Sequence, residues 1–243
     1  MAKGAEAVQQ YLAEFCGTLL LVLLTNGTVA TARLARSHGE GSSWFTITAG
    51  SALAVMIAVG VSFSFSGGHI NPAVTLALAI WGFFPLDQVP GYLLAQMSGG
   101  FLGAVLVWIA FWRHWEVTSD AAVQRSVFCT TPAIRSWPAN LLAEGIGTAV
   151  LAFGVTLLAR GVLPMSLAPW WVGSLVFSIG LALGGTTGFA LNPARDAAPR
   201  FAYTVLPIPG RGDPDWKYGW IPVVGPIGGA VIGVGLTALL SRS

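Results

Sequence analysis

Charge is scarce in this chain: 9% of its 243 residues are charged, twelve basic and ten acidic, for a formal net charge of +2. So small a balance leaves no electrostatic footprint for nucleic acid, and no such partner is expected. Cysteine is nearly absent. Cys16 lies in an apolar run and Cys129 in a polar connector, which excludes a disulfide framework and a zinc-type ligand spacing. With only three histidines, all scattered, no metal and no cofactor is expected. Catalytic signatures are missing as well: there is no His-Glu-x-x-His, and no Ser-His pair or paired aspartates stand within an apolar run. An enzyme is therefore not expected. What the chain has in abundance is apolar surface, 54% hydrophobic residues and a mean hydropathy of +0.71, far from soluble averages.

Long apolar stretches occupy roughly 11–34, 45–66, 90–113, 139–160, 167–187 and 219–241. Each is near the ~20 residues that cross hydrocarbon as helix, so the expected fold class is an all-α membrane protein with six spans. Met1 to Gln10 is polar and the first apolar run is long, so no cleavable signal peptide is expected. Tryptophans gather near span ends (Trp112, Trp115, Trp137, Trp170, Trp171, Trp216, Trp220), the pattern of an interfacial belt. Small residues recur at helical spacing in Gly99–Gly103, Gly180–Gly184 and Gly225–Gly229–Gly233, which permits close helix crossing.

The chain also repeats itself. Asn71-Pro72-Ala73 returns as Asn192-Pro193-Ala194, and Ala13-Glu14-Phe15-Cys16-Gly17-Thr18 is echoed by Ala143-Glu144-Gly145-Ile146-Gly147-Thr148. The pseudo-repeats span about 8–115 and 138–242 of a single domain, 1–243. Three spans per half is an odd number, so the halves enter the membrane from opposite sides as an inverted repeat. Each Asn-Pro-Ala reads as a helix start, asparagine capping and proline in the first turn. The connectors that hold them are too apolar for solvated loops and too short to span. Both are expected to be re-entrant half-helices that meet near the midplane.

Backbone carbonyls ahead of each cap (Gly67, Gly68, His69; Gly188, Phe189, Ala190) lack internal partners, which a bilayer tolerates only around a wet cavity. With the Asn71 and Asn192 amides as central donors, the arrangement is a path for small polar solutes, and the two dipole ends disfavour cations. Arg195 fits such a path, because its fork can donate to two solute oxygens while repelling cations.

Over essentially its whole length the chain resembles the major intrinsic protein family, the aquaporins and glycerol facilitators. Ser66-Gly67-Gly68-His69-Ile70-Asn71-Pro72-Ala73-Val74-Thr75 and Gly188-Phe189-Ala190-Leu191-Asn192-Pro193-Ala194-Arg195 carry the likeness. Asp196, Arg200 and Pro222 are similar to its glycerol-conducting branch. Gly184-Gly185-Thr186-Thr187-Gly188 and Gly210-Arg211-Gly212-Asp213-Pro214-Asp215-Trp216 look like bacterial glycerol facilitators. The resemblance implies six spans and two half-helices around one pore, a homotetramer, and passive passage of glycerol, other small neutral solutes and water through a bacterial cell membrane. It implies that Glu14 and Glu144, with Asp196, brace the loops, that His69 lines or braces the first loop, and that Arg195 joins three other residues in a selectivity filter.

Counting without gaps from the two asparagines gives Ser51, Gly180 and Phe189 as those three. Ser51 departs from the large aromatic that glycerol facilitators carry there, and the nearest rings are Trp44 and Phe45, about two turns away. A wider, urea- or metalloid-passing pore, a water-selective pore and an ion-coupled transporter are the alternative readings. With the N-terminus cytoplasmic, as the resemblance implies, the basic residues fall mostly outside, against the positive-inside pattern.

Overall fold

The computed structural model of this chain describes residues 2–158, 161 and 164–240. Among them the protein is all-α, with no strand. The helices are α1 (Ala2–Arg33), α2 (Trp44–Ser66), α3 (Pro72–Ile80), α4 (Val89–Ala110), α5 (His114–Val117), α6 (Ala121–Phe128), α7 (Trp137–Leu158), α8 (Ala168–Ala182), α9 (Pro193–Val205), α10 (Trp216–Gly219) and α11 (Ile221–Leu240). Six segments are long and apolar enough to cross a bilayer: Gly4–Arg33, Trp44–Ser66, Leu86–Ala110, Trp137–Leu158, Met165–Ala182 and Trp216–Leu240. They match the six stretches read from the sequence to within four residues at each end, except that the first begins seven residues earlier and the fifth stops five residues early. There Leu183 and Gly184 both donate their N–H to the Ile179 carbonyl, closing the helix before Gly185. Residues 159, 160 and 241 of the expected spans lie outside the described residues.

The internal repeat holds at the level of single contacts. A shift of 130 residues takes Glu14 to Glu144 and Gly99 to Gly229. A Cβ on Gly99 would stand 2.3 Å from the Phe15 carbonyl oxygen, and one on Gly229 would stand 2.0 Å from that of Gly145. The same shift pairs Gly103, 2.6 Å from Leu19 O, with Gly233, 2.3 Å from Ala149 O. Helices α1 and α4 thus cross as α7 and α11 do, backbone against backbone. No side chain fits at these four positions, and dispersion between close backbones holds the pairs where water is absent. Outward-facing positions such as Leu94, Leu142 and Ile232 are exposed and apolar, as a lipid-facing surface requires.

One sequence expectation needs correction. Trp115 is not part of an exposed aromatic belt. It is 1% exposed, packs on Phe128, and donates its indole N–H to the Trp108 carbonyl, because α5 and α6 fold over the bundle end as a small apolar cap. Gly180–Gly184 admits a neighbouring helix and two rings: a Cβ on Gly180 would stand 2.5 Å from Thr48 Cγ2 of α2, and one on Gly184 would strike Phe189 and Trp44.

The crowd of arginines at the bundle end formed by residues 34–43, 111–136 and 206–215 also has a structural account. Arg125 donates to the Asp213 carbonyl, Arg211 to the carbonyls of Tyr203, Thr204 and Leu206, and Arg200 to those of Thr130, Pro214 and Asp215. These cations clamp folded connectors, so a simple count of them says little about topology.

Candidate functional site

Asn71 and Asn192 are built alike. Both have extended backbone angles (φ −154° and −150°), both precede a proline in the first turn, and both accept an N–H two residues on, Ala73 N at 2.9 Å and Ala194 N at 2.9 Å. That satisfies the helix start locally. Their amide nitrogens do something the sequence did not reveal. Asn71 Nδ2 donates to the Leu191 carbonyl at 2.9 Å, and Asn192 Nδ2 donates to the Ile70 carbonyl at 2.7 Å. Each cap therefore holds the carbonyl just ahead of the other cap, and α3 and α9 are joined start to start.

The loops that lead into the caps share an unusual backbone. Gly67, Gly68 and Ile70 have φ of 83°, 61° and 41°, and a shift of 121 residues finds Gly188, Phe189 and Leu191 at 87°, 41° and 56°. Positive φ is cheap for glycine and costs roughly 1–3 kcal/mol for a bulky side chain. It persists here because both loops are over-determined. Glu14 Oε1 accepts from His69 N (2.9 Å) and Ser66 Oγ (2.6 Å), and Oε2 from Ile70 N (2.6 Å) and Gln96 Nε2 (2.7 Å). Glu144 accepts from Ala190 N at 3.0 Å, from Leu191 N at 2.9 Å and from the Thr187 hydroxyl. Both carboxylates are fully buried and ringed by these donors. His69 adds a contact to Thr75 Oγ1 at 3.1 Å and packs its ring against Phe84 and Tyr92.

A cavity of about 490 Å³ runs past both caps, and its walls come largely in repeat-related pairs: Leu21 with Leu151, Val55 with Val176, Ile70 with Leu191, Asn71 with Asn192. The pairs that break the likeness are informative. Thr25 is matched by Val155, Ser51 by Val172, Gly68 by Phe189, and Val74 by Arg195. One end of an otherwise symmetric tunnel thus carries a ring and a guanidinium where the other has glycine and valine. Arg195 is half-buried and its Nη1 has no partner among the described residues, which leaves donor capacity at this end.

The expected lining residues are sorted by this geometry. Asn71, Asn192, Arg195, Phe189, Ser51, Gly67, Gly68, His69 and Ala190 border the cavity. Gly180 and Gly188 do not. A Cβ on Gly180 would meet Thr48 Cγ2 at 2.5 Å and Phe189 Cζ at 3.1 Å, and one on Gly188 would meet Thr130 at 3.2 Å, so other side chains cover both. The ring that packs on Phe189 belongs to Trp44, seven residues before Ser51. Seven residues are about two helical turns, so Trp44 and Ser51 lie on one face of α2, and of the two Ser51 borders the cavity.

Asp196 turns away from the tunnel. Its Oδ2 accepts from Thr130 N and Thr130 Oγ1, both at 2.7 Å, and its Oδ1 meets Arg200 Nη2 at 2.8 Å, with both side chains fully buried. It thereby fixes the start of α9 to the connector between the halves. Burial there pushes the neighbouring Cys129 thiol up to about 12.

The chain is similar to known proteins over nearly its whole length. The Major intrinsic protein family matches residues 1–237. A "Probable glycerol uptake facilitator protein" of Thermotoga maritima is 51% identical over 93% of this chain and 97% of its own length. The "Glycerol uptake facilitator protein" of Streptococcus pneumoniae strain R6 is 46% identical over 91% and 94%. A "D/L-lactic acid transporter" of Lactiplantibacillus plantarum is 36% identical over 93% and 94%. Among solved structures, the aquaglyceroporin from Plasmodium falciparum superposes with a TM-score of 0.86 at 27% identity, covering 98% of this chain and 100% of that one.

Proposed function

The chain belongs to the major intrinsic protein family, and from that premise we propose that it is a passive channel for glycerol, other small uncharged solutes and water. It is a multi-pass integral membrane protein. We assign it to a bacterial cell membrane as a homotetramer, each protomer a single channel domain with its own pore.

The observation that carries the reading is the reciprocal pair of asparagines. Each amide has two N–H groups and uses one on the opposite loop. Both side chains border the cavity, so the second N–H of each is the donor a passing hydroxyl meets. Two half-helix starts and Arg195 make that stretch electropositive, which disfavours cations. The apolar, lipid-facing surfaces of the surrounding helices confine polar solutes to this path.

An ion-coupled mechanism needs titratable groups free to exchange a proton or ion in the membrane. The buried carboxylates of Glu14 and Glu144 are instead occupied by loop N–H groups and neighbouring donors. The test is stopped-flow light scattering of proteoliposomes holding the purified chain, with glycerol, urea, lactic acid and water as permeants. A channel gives glycerol flux linear in the gradient with low activation energy. Saturable flux, or flux that follows an imposed proton or sodium gradient, would overturn the proposal.

A further inference from the structure

Two positions on the span wall of the tunnel are polar in one half of the repeat and apolar in the other. Thr25 of α1 and Ser51 of α2 border the cavity, and the repeat puts Val155 and Val172 in their places. The wall positions beside them, Leu21 and Val55, are apolar in both halves. Threonine and valine have nearly the same shape, so at Thr25 the halves differ in hydrogen bonding and not in width. Depth follows from the packing. A Cβ on Gly17 would stand 2.7 Å from Ile70, whose carbonyl takes the Asn192 bond, and Thr25 lies about two turns further along α1, toward the end where Trp44 meets Phe189. Thr28 touches Gly50 across α1 and α2, so Thr25 and Ser51 share one stretch of the tunnel.

The two hydroxyls are not spent. Thr28, Thr48 and Ser51 return theirs to the carbonyl four residues back, whereas that of Thr25 is buried with no partner among the described residues. Thr25 thus keeps a donor and an acceptor in hand, and Ser51, its hydrogen given to the Ile47 carbonyl at 2.8 Å, keeps an acceptor. One rotamer step about χ1 exchanges the Thr25 hydroxyl with a methyl group of similar size, which turns the donor without changing the shape of the wall. Thr156 and Thr237 also border the cavity, but they bond each other at 2.7 Å.

We propose that Thr25 and Ser51 form a hydrogen-bonding station on the span wall that favours small amides, of which urea is the probe, relative to polyols. The proposal rests on the channel reading above. Loop carbonyls, the asparagines and Arg195 already serve one edge of any solute in the tunnel. Glycerol can carry its hydroxyls on that edge and turn CH groups to an apolar wall. Urea has a donor or an acceptor on every edge and no such face, so between valines one edge loses the partners that water gave it. Beside Thr25 and Ser51 it regains them. The station stands on the side of the asparagines where a ring and a guanidinium crowd the tunnel and a solute sheds most of its water. On the other side Gly68 and Val74 occupy the matching places and leave room for water to travel with it.

The experiment measures urea, erythritol and glycerol flux in proteoliposomes of wild type, Thr25→Val, Thr25→Ser, Ser51→Ala and the Thr25→Val/Ser51→Ala double variant. One neutral hydrogen bond corresponds to about a two- to tenfold effect, so Thr25→Val and Ser51→Ala each lower the urea-to-glycerol ratio by about that factor. The double variant lowers it further. Thr25→Ser keeps a hydroxyl and keeps the ratio, and Thr25→Val keeps the erythritol-to-glycerol ratio because the width is unchanged. An unchanged urea-to-glycerol ratio in either single variant, an equal fall in Thr25→Ser and Thr25→Val, or urea and erythritol moving together overturns the proposal. If Thr25→Val does not reconstitute, Ser51→Ala decides by the same ratios. A wild type that passes glycerol but no urea overturns the station and leaves the channel reading standing, whereas absence of glycerol flux in the wild type overturns the channel reading itself.

Discussion

Replacing Glu144 by glutamine tests how the strained loop is held, because it changes one oxygen to NH2 and nothing in size. Whichever way the amide sits, its nitrogen faces either Ala190 N–H or Leu191 N–H, the two donors now bound at 3.0 and 2.9 Å. One buried backbone donor is stranded, at about 1–3 kcal/mol, and the surviving bond loses its charge assistance, about 1 kcal/mol more. The expected loss is therefore about 2–4 kcal/mol, or roughly 5–12 °C of thermal midpoint for a chain of this size.

Glu14→Gln is the internal control, with four donors around it. Its amide can turn toward Ser66 or Gln96; the former can accept through its hydroxyl, and Gln96 Oε1 has no partner among the described residues. Again a single backbone N–H, of His69 or Ile70, is stranded, so the two variants are expected to lose similar amounts. They differ in function. Glu144 holds the loop that carries Phe189, so only Glu144→Gln is expected to shift the urea-to-glycerol flux ratio. Midpoints by intrinsic fluorescence in detergent, with both variants within about 1 °C of wild type, would refute the bracing argument.

Asn192→Leu removes an N-cap and strands the Ile70 carbonyl, a loss of about 2–4 kcal/mol, and glycerol flux per reconstituted protein is expected to fall at least about tenfold. Flux equal to wild type in a well-folded Asn192→Leu protein would remove the central donors from the mechanism. Arg195→Val matches its repeat partner Val74 and is expected to admit protons or cations while neutral flux is kept, measured as current across a planar bilayer; an ion-tight variant counts against the role. At the connector end, burial pushes the Asp215 carboxyl up but the paired bonds and charge of Arg135 outweigh it, so it lies below its ordinary 3.8. A depressed carboxylate stabilises above its unfolded value and ceases to do so as pH falls through the folded one. The stability gap between wild type and Asp215→Asn should therefore be constant near pH 6 and close only in acid below 3.8; a gap already closing near pH 6 would refute the assignment.

The architecture was legible because membrane insertion leaves a coarse, local record: six runs of about the right length, and a repeat written twice in Asn-Pro-Ala and in Glu14 and Glu144. The caps were legible for the same reason, since an asparagine ahead of a proline acts on its own helix. What could not be read is what reaches across. That the Asn71 amide ends on a carbonyl 120 residues away depends on the docking of two halves, and no spacing announces it. Counting reached Ser51 and could not say which of the nearby rings meets Phe189; that Trp44 does so depends on how α2 docks on the second loop. The helices α5 and α6 were missed because their apolar faces are short and serve a cap with Trp115 at its centre, not a span.

The crossed asparagine bonds have a bearing on how the chain is made. Either half can insert its three spans and pack its own backbone-to-backbone helix pair, since those contacts join neighbours within a half. Neither can finish its re-entrant loop, because the acceptors at Leu191 and Ile70 each belong to the other half. Until the other half is in place, those amides and carbonyls lack the partners the finished protein gives them. The two bonds can form only when both halves are present, so the second half completes the loop of the first and the first that of the second. A truncated chain would present the membrane with an unfinished loop, a mark by which quality control can tell it from the whole.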